Sequence, residues 1–358
     1  MDILVKEKDR KVVLGVAPVL GFRKTVRGVL ENQESLTAKE KWSLVPFFIC
    51  GFAKYLFSRD LDTVSVAEYA QKHHVKRRAQ RLILEPLSTG IFFLPPENYS
   101  AYAFFGLFAP AIPKFYKMRI GAFLGGMTEV MCNPVVREAT KAGCRFQFGA
   151  KVSEVIVKEG RMIGVRMENG QEHRAGQTVI ASTLQDAKKI LAPLKGRSEL
   201  EKLYALPVMS ACCLQLELDQ PALEKDITVF GPGTDMVSVA EQSRTTFQTS
   251  KGRLSVILGN PKEYCKKSAE DILNVVITQM EELGIHLRGH VLDVRKTAEE
   301  DSFYSLSPGS QKLRPAQRTG IAGLTLAGDY TKTASFATME GAVLSGKKAA
   351  KAVCTAHN

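Results

Sequence analysis

The stretch from Leu324 to Val353, LTLAGDYTKTASFATMEGAVLSGKKAAKAV, restricts the fold more than any other part of the chain. A short apolar run, Leu324 to Ala327, leads into Gly328-Asp329. A polar loop follows, and a helix opens with the small-residue turn Met339-Glu340-Gly341-Ala342. Strand, Gly-Asp, loop and helix start together describe a place where backbone comes close to a bound anion or polar ring. Glycine at 328 and 341 removes side chains where a ligand would otherwise clash. The helix start offers unpaired N–H groups and a positive dipole end. Asp329 can accept hydrogen bonds from ligand hydroxyls. Taken singly, each feature fits better a C-terminal helix docked on a strand; the whole string favours a ligand.

At 358 residues, with 45% hydrophobic and 24% charged residues, the chain can bury a large core and has room for two domains. The net charge of +12 suits an anionic lipid surface, nucleic acid or an acidic partner. The basic residues are scattered, and no zinc-finger, RNA-binding or helix-turn-helix pattern accompanies them, so a membrane surface ranks above nucleic acid. Seven cysteines without a CxxC pair, and no signal peptide at the start, point to a reducing cytoplasm. His286 and His290 stand four apart, but the LRG between them and the strand-like VLDVRK after them argue against a helical metal pair. No metal site is expected.

Thr37 with Glu40 and Ser65 with Glu68 read as capping boxes, each opening a helix. The first helix is strongly apolar, and so is Ala101 to Pro113, which is too short to span a bilayer. Both fit the core of a helical domain, a greasy tunnel or a monotopic anchor. The Phe92, Phe93, Phe104, Phe105 and Phe108 cluster suits an apolar channel and a plain core equally. A helix over Thr128 to Ala142 precedes strands turning at Glu159-Gly160 and Asn169-Gly170. Thr178 to Ala181 is a short β-branched strand, and Leu184 to Leu191 starts a helix. Runs between Pro207 and Gly259 suggest an antiparallel sheet, and Ser268 to Leu283 an amphipathic helix.

The string LAGDYT…ATMEGAVLSGKKAA resembles the C-terminal flavin-contacting segment of the flavin amine oxidase superfamily, phytoene desaturases and hydroxysqualene dehydroxylases in particular. Lys141 to Thr183 is similar to that family's adenine-side strand, hairpin and returning strand. SVAEYAQKHHVKRRAQRLILEPLSTGIFFLPPENYSA resembles, more loosely, the substrate-side helices of desaturases and protoporphyrinogen oxidases. The resemblance covers about half of the chain, in the family's order. Family members open with a strand, a GxGxxG turn and a helix. MDILVKEKDRKVVLGVAP has no such turn, and GAFLGG at Gly121 to Gly126 has the wrong spacing. The expectation is that this first unit lies outside the sequence, through a split gene, a fragment or a degraded paralogue.

The resemblance implies a mixed α/β (α+β) fold, with an incomplete Rossmann-like FAD domain interleaved with a helix-plus-antiparallel-sheet substrate domain. The segments expected are 1–116 (helical, substrate side), 117–195 (FAD domain, middle), 196–300 (substrate-domain sheet and helix) and 301–358 (C-terminal, FAD). It implies backbone contact of Val152 with adenine, and places Ala181 and Ser182 near the pyrophosphate. Gly328 and Asp329 would hold the ribityl chain and phosphate; Met339, Glu340, Gly341 and Ala342 would lie at the isoalloxazine edge. Glu340 is better explained by first-turn charge preference than by catalysis, and no catalytic acid or base is assigned, since a flavin supplies its own redox chemistry. The implied activity is desaturation of an apolar isoprenoid or carotenoid by a cytoplasmic enzyme peripheral at the membrane. A protoporphyrinogen oxidase-like flavoenzyme is the rival within this class; a non-catalytic remnant or subunit is the rival outside it. A separate polypeptide carrying the missing dinucleotide-binding unit is a further expected partner, without which the chain should bind flavin poorly.

Overall fold

The computed structural model describes residues 3–7, 10–14, 36–58, 60–108 and 122–355, the first two stretches as backbone alone. The chain starts with a hairpin, β1 (Ile3–Glu7) and β2 (Arg10–Leu14), in a segment expected to be helical. Both capping boxes form. Glu40 Oε2 accepts the Thr37 N–H at 2.8 Å at the start of α1 (Ala38–Phe57), and Glu68 Oε2 accepts the Ser65 N–H at 2.9 Å before α2 (Val66–Lys72). A helical run of Arg77–Ala79, a π-helical turn (Gln80–Leu84) and α3 (Glu85–Phe92) comes next, then α4 (Ala101–Phe108). Residues 109–113 of the second apolar stretch lie outside the described residues, as does all of 15–35.

The Phe-rich cluster packs as a filled core. Phe47 meets Tyr69, Phe104 and Phe105 at ring-centroid distances of 5.4, 5.9 and 5.2 Å, and Phe104 and Phe105 are fully buried. Gly51 lets α1 settle on this core, since a Cβ there would stand 2.0 Å from the Phe105 ring. The other side of α1 is apolar and exposed, carrying Trp42, Val45, Ile49, Leu56 and Phe57.

The helix expected over Thr128 to Ala142 is a π-helical turn (Thr128–Cys132) followed by α5 (Asn133–Lys141), none of whose residues is buried. The expected hairpins form β3 (Val152–Lys158), β4 (Arg161–Met167) and β5 (Glu172–Arg174). Then come β6 (Thr178–Ile180) and α6 (Leu184–Ile190). The predicted antiparallel sheet is present as β7 (Val208–Leu218), β8 (Thr228–Phe230), β9 (Met236–Glu241), β10 (Gly252–Leu258) and β11 (Val291–Tyr304). Its order is β11-β7-β10-β9-β8-β1-β2, with β1 parallel to β8. Helix α7 (Ala269–Glu282) covers one face with Ile272, Val276 and Met280, all fully buried.

Two cores result. One is the sheet–α7 core. The other joins α1–α4 to Val155, Ile180, Leu184, Leu326 and Tyr330, so the helical segment packs directly on both stretches expected to face the cofactor. The boundary expected at 300/301 falls inside β11, at a bulge where Asp301 has φ 48° and pairs with Ser210.

Candidate cofactor site

β6 and β12 (Leu324–Leu326) form a two-stranded parallel sheet with Leu324 opposite Thr178 and Leu326 opposite Ile180. The pairing runs one residue further, as the Ala327 N–H donates to the Ile180 carbonyl at 2.9 Å. Ala181-Ser182 and Gly328-Asp329 therefore leave the carboxyl ends of neighbouring parallel strands, the place where open α/β sheets hold ligands. Helix α8 (Met339–Cys354) is brought to the same place, because the Gly328 N–H donates to Ser345 Oγ at 2.8 Å. Thr338 caps α8, its Oγ1 accepting the Gly341 N–H at 3.1 Å. The N–H groups of Met339 and Glu340, in the first turn, have no intrahelical acceptor.

Eight of the nine expected contact residues are thus assembled by three chain ends: Ala181, Ser182, Gly328, Asp329, Met339, Glu340, Gly341 and Ala342. Val152 stands apart at the start of β3, opposite Met167 in the three-stranded sheet. Ala181, Met339, Glu340 and Ala342 are exposed, whereas Ser182 and Asp329 are half-buried.

The chain itself supplies a reason for each of the two glycines. A Cβ on Gly328 would stand 2.3 Å from the ring of Tyr330, and the residue adopts φ 147°. Glycine is required there by the chain's own tyrosine and backbone, before any ligand enters. A Cβ on Gly341 would stand 3.2 Å from the Ser335 carbonyl, so this glycine accommodates the preceding loop.

Burial raises the Asp329 carboxyl above the usual range, opposed by the Tyr330 N–H and the Arg314 charge. Burial also raises the Tyr330 phenol, whose buried hydroxyl has no partner. Glu340 is exposed in the first turn of α8, where its charge favours the helix. His286 and His290 pair separately with Glu281 (2.6 Å) and Asp219 (3.0 Å). Among the described residues no group of three His, Cys, Asp or Glu is placed to hold a metal.

Nothing in the sequence singles out Arg314, which is 3% exposed. It donates to the carbonyls of Asp329 (3.0 Å), Thr331, Thr333 (3.3 Å) and Ser335 (3.0 Å). Its neighbour Gln317 donates to Thr331 Oγ1 at 2.9 Å. The partners of Arg314 are mostly main-chain carbonyls, which leave no residue pattern to read. A cavity of about 330 Å³ adjoins it, lined by Tyr55, Tyr102, Lys312, Lys332 and Phe336 among others. A larger one of about 850 Å³ lies between the Arg77–Phe92 run and the 230–235 loop.

The flavin-containing amine oxidoreductase family matches residues 11–354. The chain belongs to that family. It is 27% identical over 364 residues to a 15-cis-phytoene desaturase of Synechococcus elongatus, covering 94% of this chain and 74% of that one. It is 24% identical to a chloroplastic/chromoplastic 15-cis-phytoene desaturase of an Oncidium hybrid cultivar, covering 91% of this chain. The chain spans 58% of the length of the Oncidium protein. Among solved structures, an oxidoreductase from Methanosarcina mazei superposes with a TM-score of 0.73 at 12% identity, over 98% of this chain and 81% of that one. That likeness supports the mixed helix-and-sheet fold.

A flavin is the cofactor of this family, and the residues present suit one side of it. The α8 start presents two N–H donors, Ala181 and Ala342 are exposed, and Asp329 supplies a half-buried acceptor. No helix among the described residues is long and apolar enough to cross a membrane.

Proposed function

We propose that this chain carries the flavin-side site of an FAD-dependent desaturase acting on an apolar isoprenoid or carotenoid-type substrate. The observation that carries the reading is the convergence of Ala181-Ser182, Gly328-Asp329 and the α8 start at adjacent strand ends. The desaturase relatives match more than nine-tenths of the chain. A flavin bound there would accept hydride from a substrate C–H. Met339 and Glu340 N–H groups would stabilise negative charge at the near edge of the ring system, reinforced by the α8 dipole. Asp329 would hold hydroxyls of the ribityl chain, and the packed aromatic core beneath would exclude water.

Two finer features belong to the same proposal. The first is a membrane surface, from which an apolar substrate would be drawn. The exposed stripe Trp42, Val45, Ile49 and Leu56 with Lys39, Lys41 and Lys54 on the same helix suits shallow insertion beside anionic headgroups. Arg59, Lys114, Lys117 and Arg119, which flank the two apolar stretches in the sequence, lie outside the described residues. The second is a further polypeptide strand beside β6. Among the described residues β6 pairs with β12 alone, Val179 is 39% exposed, and α5 is amphipathic yet unburied. The segment division at 116/117, 195/196 and 300/301 remains part of this proposal.

The test is conversion of a carotenoid precursor such as phytoene by the purified chain, together with a polypeptide that supplies the GxGxxG unit in trans, with FAD, anionic vesicles and a quinone. Product with lengthened conjugation, read by absorbance after chromatography, is expected. Oxidation of a porphyrinogen instead would favour the rival flavoenzyme, and no product from either, with flavin bound, would favour the non-catalytic reading.

A further inference from the structure

We infer that Arg314 is a positioning residue for the cofactor site: it sets the path of residues 329–337 and thereby the place of the α8 start. This rests on the reading of residues 338–342 as flavin-contacting.

The carbonyls of four alternate residues, 329, 331, 333 and 335, converge on one guanidinium. A loop whose inward carbonyls all point at a single cation has its curvature fixed by that cation. Thr333 adds its hydroxyl at 3.1 Å, and Gln311 Oε1 accepts from the same guanidinium at 3.3 Å. The guanidinium carbon also lies 5.8 Å from the Tyr304 ring centroid and 5.2 Å from that of Phe336. Tyr304 completes the device: its hydroxyl accepts the Ala337 N–H at 2.8 Å, and Ala337 adopts a left-handed φ of 43°. A non-glycine residue holds such a conformation only where its surroundings impose it. Ala337 is the last residue before the Thr338 cap, so the strained residue and the cap are set together.

Lysine is a poor substitute here. Its ammonium is a single nitrogen, whereas the acceptors are divided between Nη2 (Asp329, Thr331 and Ser335 carbonyls) and Nη1 (Thr333 carbonyl and Gln311 Oε1), which one compact head cannot reach together. The prediction is therefore graded: Arg314→Lys relaxes the loop in part, Arg314→Met fully. Exogenous guanidinium should refill the hole left by Arg314→Ala.

Three readouts test it: endoproteinase Lys-C cleavage after Lys332, the FAD dissociation constant, and the band shape of bound FAD. Val276→Ala, placed in the separate sheet–α7 core, serves as a control with comparable loss of Tm. Arg314→Met should be cut after Lys332 at least tenfold faster than wild type, with Arg314→Lys between them. The Met variant should also bind FAD at least tenfold more weakly, with altered band shape. Millimolar guanidinium should restore protection and affinity to Arg314→Ala, and Val276→Ala should change none of the three. Wild-type cleavage and spectrum in a folded Arg314→Met, or equal changes in Val276→Ala, would overturn the inference. If wild type binds no FAD even with a polypeptide supplying the GxGxxG unit, the reading of the site fails, and cleavage after Lys332 still decides the role of Arg314.

Discussion

Gly328→Ala isolates the internal constraint at the heart of the site. The new Cβ would stand 2.3 Å from Tyr330 Cε1 and 2.8 Å from Cδ1, well inside ordinary contact. The ring has nowhere to retreat, being 1% exposed in the core shared with α1–α4. Two contributions add. An L-residue held at φ 147° costs about 1–3 kcal/mol, and forcing an extra carbon into a packed core costs about 1–3 kcal/mol more. The expected loss is roughly 2–6 kcal/mol. Urea unfolding of Gly328→Ala, Tyr330→Ala and the double variant separates the two. Removing the ring should abolish the packing part and leave the backbone part, giving a coupling of about 1–3 kcal/mol. Additive single-variant losses would refute the role assigned to Tyr330. A Gly328→Ala change within ~0.5 kcal/mol of wild type would refute both contributions.

Other outcomes follow from the same structure. The Asp329 carboxyl is raised by burial, so its folded pKa exceeds the unfolded value of about 3.9. Its favourable contribution is then fully present below that unfolded value and is lost as pH rises through the folded one. Asp329→Asn should raise Tm at pH 7, lose that gain by about pH 3 and weaken FAD binding, a combination that thermal melts and titration would check. Glu241, 1% exposed, accepts the N–H groups of Ala222 and Leu223 on one oxygen, and those of Ser243 and Arg253 on the other. Glu241→Ala should destabilise the sheet by about 3–5 kcal/mol in urea unfolding, with FAD affinity unchanged. Trp42→Ser with Ile49→Ser should reduce co-sedimentation with anionic vesicles without lowering Tm, since both side chains are already exposed. Unchanged sedimentation would remove α1 from the membrane contact.

Much of the local structure was legible because it is encoded locally. The capping boxes at Thr37 and Ser65, the turn at Asn169-Gly170 and the α7 amphipathic pattern each lie within one short window, and each formed. The β1–β8 pairing joins Ile3 to Thr228, and no local pattern carries such a long-range match. The candidate site was legible in outline, since Gly-Asp after a strand and a small-residue helix start are local signals. The reason for Gly328 was not, because the Tyr330 ring reaches it only in three dimensions. Arg314 was hidden for the same reason.

Hydrogen exchange with and without saturating FAD reads the proposed cofactor site segment by segment. Slowed exchange is expected at residues 182–183, 328–331 and 338–341, with the sheet–α7 core unaffected. Bound FAD that protects instead the Arg77–Phe92 run and the 230–235 loop around the larger cavity, or no segment at all, would contradict it.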